Sequence, residues 1–143
     1  GYSHPLGECG IAFLAARAVA DTLKPDFPAS LHEAPLLIPG EDSALRVPLL
    51  RWLERHGIQP TIVGEFDDSA LMSAFGQAGA GVFPVPLTTA QEVMRQYQVV
   101  ELGQTLEIRE RFFAISVERR LSHPAVLAVS EAARLRFQLQ APA

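Results

Sequence analysis

The apolar positions of this chain fall into short continuous runs and helix-spaced stripes, with prolines and glycines between almost all of them. Cys9, Ile11, Ala12, Phe13 and Leu14 form the first run, and Ala15 to Leu23 predicts a turn or two of helix before Pro25 and Pro28 end it. Leu36, Leu37 and Ile38 predict a brief buried strand that stops at Pro39 and Gly40. The polar trio Glu41, Asp42, Ser43 then opens a helix, with Asp42 or Ser43 as its cap. Along that helix Leu45, Leu49, Trp52, Leu53 and His56 share one side. Pro48 costs about 3 kcal/mol inside a helix but little in a first turn, so the regular helix is expected from near Val47 after a loose start.

The stretch Glu65 to Pro86 organises the middle of the chain. After a strand over Thr61 to Phe66, Asp67 is placed as an N-cap, and Ala70, Leu71, Ala74, Phe75 and Ala78 fall on one helical face. Gly79 stops the helix. Gly81, Val82 and Phe83 form an apolar strand ended by Pro84 and Pro86, and so compact a strand, helix, strand unit implies a parallel pair. Thr89 and Glu92 have capping-box spacing for a helix from Ala90 to Tyr97. Val99 to Leu102 predicts a short strand, Gly103 a turn, Ile108 to Val117 a long strand, and Ser122 the cap of a last helix carrying Val126, Val129, Ala133 and Phe137. The alternation is that of an α/β domain. In such sheets ligands bind beyond the carboxyl ends of the strands, which selects Asp67, Asp68, Phe83 and Pro84 first.

Composition narrows the classes. The 143 residues, 48% hydrophobic and 20% charged, suffice for one compact domain or two small lobes. No run approaches the roughly 20 apolar residues that span a bilayer, and no secretory signal is visible. A net charge of −4, with Lys24 as the single lysine, argues against this segment holding nucleic acid by itself. Cys9 has no partner for an internal disulfide, which makes the cytoplasm the default compartment. It reads as a packed thiol, because no histidine is placed to activate it. His4, His32, His56 and His123 are too scattered for a zinc pair, so no metal site and no cofactor are expected, and His56 reads as a helix-ending residue. GQAGAG follows a helix instead of opening one and reads as a stop and turn. Arg109, Arg111, Arg119 and Arg120 stand among Glu107, Glu110 and Glu118 and read as a mixed solvated edge.

Taken together, PLGECGIAFLAA, the segment APLLIPGEDSALRVPLLRWLERHGIQPTIVGEFDDSALMSAFGQAGAGVFPVP and RFFAISVERRLSHPAVLAVSEAARL resemble the effector-binding region of LysR-type transcriptional regulators. Within that family GECG, GQAGAGVF and RFFAISVERRLSHP are most similar to a sodium-responsive activator of sodium/proton antiporter genes. The resemblance implies a type II periplasmic-binding-protein-like α/β fold, with a complete second lobe and part of the first. Residues 1–24 would be the exit strand and linker of lobe one, 25–117 the second lobe, and 118–143 the return crossover and last helix of lobe one. The expected role is effector sensing without catalysis, as a homodimer or higher oligomer, reaching DNA only through an N-terminal helix-turn-helix that this segment lacks. Solute binding for transport is the alternative, and a small α/β enzyme the third reading.

By the same resemblance the effector would contact Pro39, Gly40, Ser43, Ala44, Phe66, Asp67, Asp68, Phe83 and Pro84, where helix N-termini offer amide donors to an anion. Glu41 and Asp42 with Asp67 and Asp68 also make a cation-responsive site conceivable. Acidic residues at helix starts are equally ordinary caps, and that reading is the stronger one. With much of lobe one absent, exposed apolar surface is expected on Ile11, Phe13 or the last helix, and with it self-association.

Overall fold

A computed structural model describes residues 5–113 of the chain, with side-chain surroundings from 10 to 109. The elements in order are β1 (Pro5–Ala15), α1 (Arg17–Leu23), two short 3-10 turns, β2 (Pro35–Pro39), α2 (Arg46–Arg55), β3 (Thr61–Phe66), α3 (Ser69–Gln77), β4 (Phe83–Pro86), α4 (Leu87–Tyr97) and β5 (Val100–Phe113). The expected last helix and the strand beyond 113 lie outside the described residues.

Hydrogen bonding orders one sheet as β4–β1–β5 and pairs β2 with β3 in parallel. Val82 links the two: its carbonyl accepts from Leu37 N at 2.7 Å and its amide donates to Pro35 O at 2.9 Å. The strands therefore run β3–β2–β4–β1–β5, with β4 antiparallel to β1. Thus β3 and β4, expected to be partners, flank β2 instead. Alternation along the strands separates two cores. Ile11, Phe13, Ala15, Leu36 and Ile38 face α1 and α2, where Leu49, Trp52 and Leu53 cover them. Ala12, Leu14, Leu37, Phe83 and Val85 face the other way, under Met72 of α3 and Ala90 of α4.

The prolines of β4 explain where the sheet parts. Val82 points its backbone polar groups at β2, so by the two-residue period Pro84 and Pro86 face that same edge and have no N–H to give it. Phe83 and Val85 keep the opposite edge, towards β1. Pro84 therefore ends the β2 ladder without ending the strand, while Pro86 is the stop that was expected.

Other expectations also change. The chain divides into a compact unit Cys9–Glu110 and a second unit, Gly1–Glu8 with Arg111–Ala143. Ile11 to Ala15 and Ala20 are core of the larger unit; Ile11 and Phe13, expected at an exposed surface, are both 0% exposed. Gly103 is no turn: β5 runs through it, and a Cβ there would lie 2.4 Å from the ring of Phe27, which contacts Trp52 and Phe13. The close approach, not a bend, requires glycine. α4 begins at Leu87, directly after β4, and Thr89 Oγ1 donates to Pro86 O at 3.2 Å, so the Thr89–Glu92 capping box does not form.

In α3 the buried residues are Met72, Ser73 and Gly76, while Ala70, Leu71, Ala74, Phe75 and Ala78, the apolar face read from the sequence, are exposed. Gly76 decides this, since a Cβ on it would meet the Phe83 ring at 2.2 Å. The helix sits down where it has no side chain. Gly79, at φ +90°, follows as the stop that was expected.

Candidate functional site

The carboxyl ends of β2 and β3 carry the candidate residues. Gly40 N donates to Phe66 O at 2.8 Å, extending the parallel pairing one residue past β2. The chain then turns, with Ser43 N donating to Gly40 O at 3.1 Å and Ser43 Oγ accepting from Leu45 N at 3.1 Å. Ser43 is therefore the polar residue that orders the entry of α2, whose regular start at Arg46 places Pro48 in the first turn, as the sequence requires. Asp67 lies against this turn: a Cβ on Gly40 would come within 2.0 Å of Asp67 Oδ1. Gly40, Ser43, Phe66 and Asp67 are thus brought together, and Ala44 is exposed beside them.

Asp68, not Asp67, is the N-cap of α3. Its Oδ1 accepts from Ala70 N at 2.8 Å and Leu71 N at 3.4 Å. That leaves Asp67 exposed at the rim. Phe66 is half-buried and packs on Phe75 with ring centroids 5.2 Å apart. From the Val82–Leu36 bridge, β4 runs parallel to β2 and carries Phe83 and Pro84 towards the same end. Both are buried, however: Phe83 is 0% exposed, in the core beneath α3, and Pro84 pairs with Phe13. Pro39 is buried too, and its contribution to the rim is its carbonyl. Among the described residues no three His, Cys, Asp or Glu side chains gather as a metal site, so Glu41, Asp42, Asp67 and Asp68 do not form one carboxylate cluster.

Arg46 is the residue that sequence reasoning missed. Its Nη1 donates to Pro39 O at 3.0 Å and to Glu65 Oε1 at 2.6 Å, tying the end of β2 to β3 at the mouth of the turn. A cation at the first position of a helix opposes the helix dipole, and that misplacement was the available signal of a specific partner.

A second polar cluster lies away from the rim. Glu107 Oε1 on β5 accepts from Trp52 Nε1 at 2.7 Å and lies 2.9 Å from Nε2 of His56, which ends α2. The hydrogen bond to His56, then that to Trp52, holds the Glu107 carboxyl below its ordinary range. His32 Nδ1 accepts from Gln59 N, so neither of these two histidines sits as half of a ligand pair. Arg109 donates through Nε to Leu106 O at 2.7 Å. Cys9, Arg111, Arg119 and Arg120 fall outside the described side chains.

Comparison with solved structures defines the class. The regulatory domain of HypT from Salmonella typhimurium superposes with a TM-score of 0.59 at 17% identity, over 78% of this chain and 53% of that one. CbnR, a LysR family transcriptional regulator, gives 0.64 at 16% identity over 77% of this chain and 39% of that one. An ABC transporter periplasmic binding protein from Brucella ovis with glutathione bound gives 0.63 at 11%, over 77% of this chain and 34% of that one. The fold is therefore the periplasmic-binding-protein-like α/β fold of LysR regulatory domains.

The particular family is shown by sequence. The LysR substrate binding domain matches residues 2–138, and the chain belongs to that family. It is 42% identical over 125 residues to the transcriptional activator protein NhaR of Escherichia coli, and equally to NhaR of Shigella flexneri. The match covers 87% of this chain and 40% of each relative's length. Among the described residues no helix is long and apolar enough to cross a membrane.

Proposed function

We propose that this chain is the effector-sensing domain of an NhaR-like, LysR-type transcriptional regulator of the cytoplasm. It acts on DNA through an N-terminal helix-turn-helix outside this segment and has no catalytic role. The 42% identity to NhaR over 125 residues is the observation that carries the reading. The rim residues Pro39, Gly40, Ser43, Ala44, Phe66, Asp67 and Asp68 form the effector-facing wall, with Phe83 and Pro84 as the packed support behind it. Arg46 holds the wall's shape by joining Pro39 O to Glu65. Sodium, or a small effector coupled to it, biases one arrangement of the domain, and the DNA-binding heads read that bias as a population shift. Solute binding for transport rests on fold likeness at 11% identity and is set aside.

The regulator acts as a homodimer or higher oligomer. The supporting surface is β3, the outer strand among the described residues, where Ile62 and Val63 are 45% and 50% exposed beside a cavity of about 330 Å³ lined by Leu50, Ile58 and Pro60. The test is a promoter–reporter strain expressing the full-length protein. Asp67→Asn should shift its dose response to sodium while operator binding in a gel shift is retained. An unchanged dose response with both Asp67→Asn and Asp68→Asn would sink the sodium reading; loss of regulation on deleting this segment, with operator binding intact, would still support the sensor.

A further inference from the structure

Among the described residues, the side chains of α2 and its cap reach the strands by hydrogen bonds at the two ends of the helix. At the first end Arg46 Nη1 joins Pro39 O and Glu65 Oε1, at the effector wall. At the other end, about 15 Å away at 1.5 Å per residue, Trp52 and His56 stand one turn apart and both reach Glu107 Oε1 on β5. Between them Leu49 and Leu53 pack with Ile11, Phe13 and Ile38. That apolar contact holds the helix on the sheet without a preferred direction, so the two polar anchors fix its position along its own axis.

The anchor at Glu107 is the stricter one. Trp52 is 1% exposed and its indole N–H donates to Glu107 at 2.7 Å, so a slide or rotation of α2 against β5 strands a buried donor. Phe13 and Phe27 close over the same ring with centroids 5.4 and 6.4 Å away, and His56 lies against it at 4.7 Å. Just beyond Glu107, at Glu110, β5 leaves the compact unit and the chain passes on to the remaining residues.

We infer that Glu107 is a positioning residue for the effector wall, acting on it through α2 as a latch between that helix and the outgoing strand. The inference rests on the placement of the effector at that wall. A short helix pinned at both ends moves as one body, so a displacement imposed at Arg46 is felt at Glu107, and by linkage a change at Glu107 is felt at the wall. The wall and β5 are thereby coupled, although no side chain of one touches the other.

Hydrogen exchange of the full-length protein, read by mass spectrometry, tests the coupling from both ends without an effector. Glu107→Ala removes the acceptor, and Trp52→Phe keeps an aromatic ring while removing the donor. Each should speed exchange by about threefold or more at Gly40 and Ser43, the end remote from the change. Arg46→Met should do the same at His56 and Gly57, whose amides donate to Trp52 O and Glu54 O. Glu107→Gln, which keeps an acceptor oxygen, should leave Gly40 and Ser43 near the wild-type rate, as should Gly76→Ala, which loosens the other core. An unchanged rate at the remote end in either direction, or equal acceleration by Gly76→Ala, would overturn the latch. A promoter–reporter strain dosed with sodium chloride separates this from the reading beneath it. Glu107→Ala should shift the dose response while operator binding in a gel shift is retained. A wild type that ignores sodium would overturn the sodium reading and leave the exchange rates to decide the latch; a responding wild type with an unchanged Glu107→Ala dose response would overturn the latch alone.

Discussion

Replacing Gly76 by alanine sets two known effects against each other. In an isolated helix the change would be stabilising by about 1 kcal/mol, because glycine is the poorer helix former. Here the new methyl would stand 2.2 and 2.3 Å from Cε1 and Cδ1 of Phe83, where carbon atoms normally rest about 3.5–4.0 Å apart. Phe83 is 0% exposed and packed among Ala12, Leu14, Leu37 and Met72, so its ring has no free direction in which to move. Overpacking costs about 1–3 kcal/mol, and contacts of 2.2 and 2.3 Å against a buried ring put this case in the upper part of that range, about 2–3 kcal/mol, which outweighs the propensity gain. The net expectation is a destabilisation of about 1–2 kcal/mol. Urea unfolding followed by Trp52, the one tryptophan of the chain, measures it as a fall in midpoint at constant slope. A Phe83→Leu background should relieve the clash, giving a coupling energy of about 1 kcal/mol between the two positions. Gly76→Ala as stable as wild type, or a cycle additive within about 0.5 kcal/mol, would refute this explanation of why α3 turns its apolar stripe outward.

Three further outcomes are expected from the same geometry. Gly103→Ala should destabilise by about 1–3 kcal/mol because its methyl meets Phe27, whereas a mere turn at this position would tolerate alanine; thermal unfolding separates the two. Glu107→Gln should remove a pH dependence. A carboxyl held lower in the folded state stabilises above its unfolded value near 4.5, and that stability is lost as pH falls through the lowered folded value, so wild type and variant should converge in acid and differ at neutral pH. Arg46→Met should cost under about 1 kcal/mol in its exposed ion pair with Glu65, yet speed amide exchange at Gly40 and Ser43, because the bond to Pro39 O that steadies the turn is lost.

How much of this was legible in the sequence depends on how local the deciding contact is. β3 begins and ends where the Thr61 to Phe66 pattern says, β2 stops at Pro39, and α2 tolerates Pro48 through a late start, since hydrophobic run, proline and cap all act within a few residues. The glycines later in the chain and Pro84 misled because they answer to distant partners. Gly103 makes room for Phe27, Gly76 for Phe83, and Pro84 lies on an edge that β2 has already left. The amphipathic stripe of α3 was real, but the choice of inward face turned on a ring seven residues downstream. At the site, the loop after Ile38 and the end of Phe66 were implied by the family resemblance, while the topology of a parallel sheet pointed to Asp67 and Asp68. The burial of Phe83 and the Arg46 bridge required the tertiary packing, and the one-residue choice between Asp67 and Asp68 as cap depended on which of them Gly40 accepts beside it.

The most direct test of the proposed sensing wall is calorimetric titration of the full-length protein with sodium chloride against a choline chloride control, in wild type and Gly40→Ala. A methyl on Gly40 would lie 2.0 Å from Asp67 Oδ1 and must displace it, and with it the rim. Wild type should give a sodium-specific heat, and Gly40→Ala should weaken the affinity at least tenfold with operator binding retained. Sodium binding of unchanged affinity in the variant would contradict the placement of the effector at this wall.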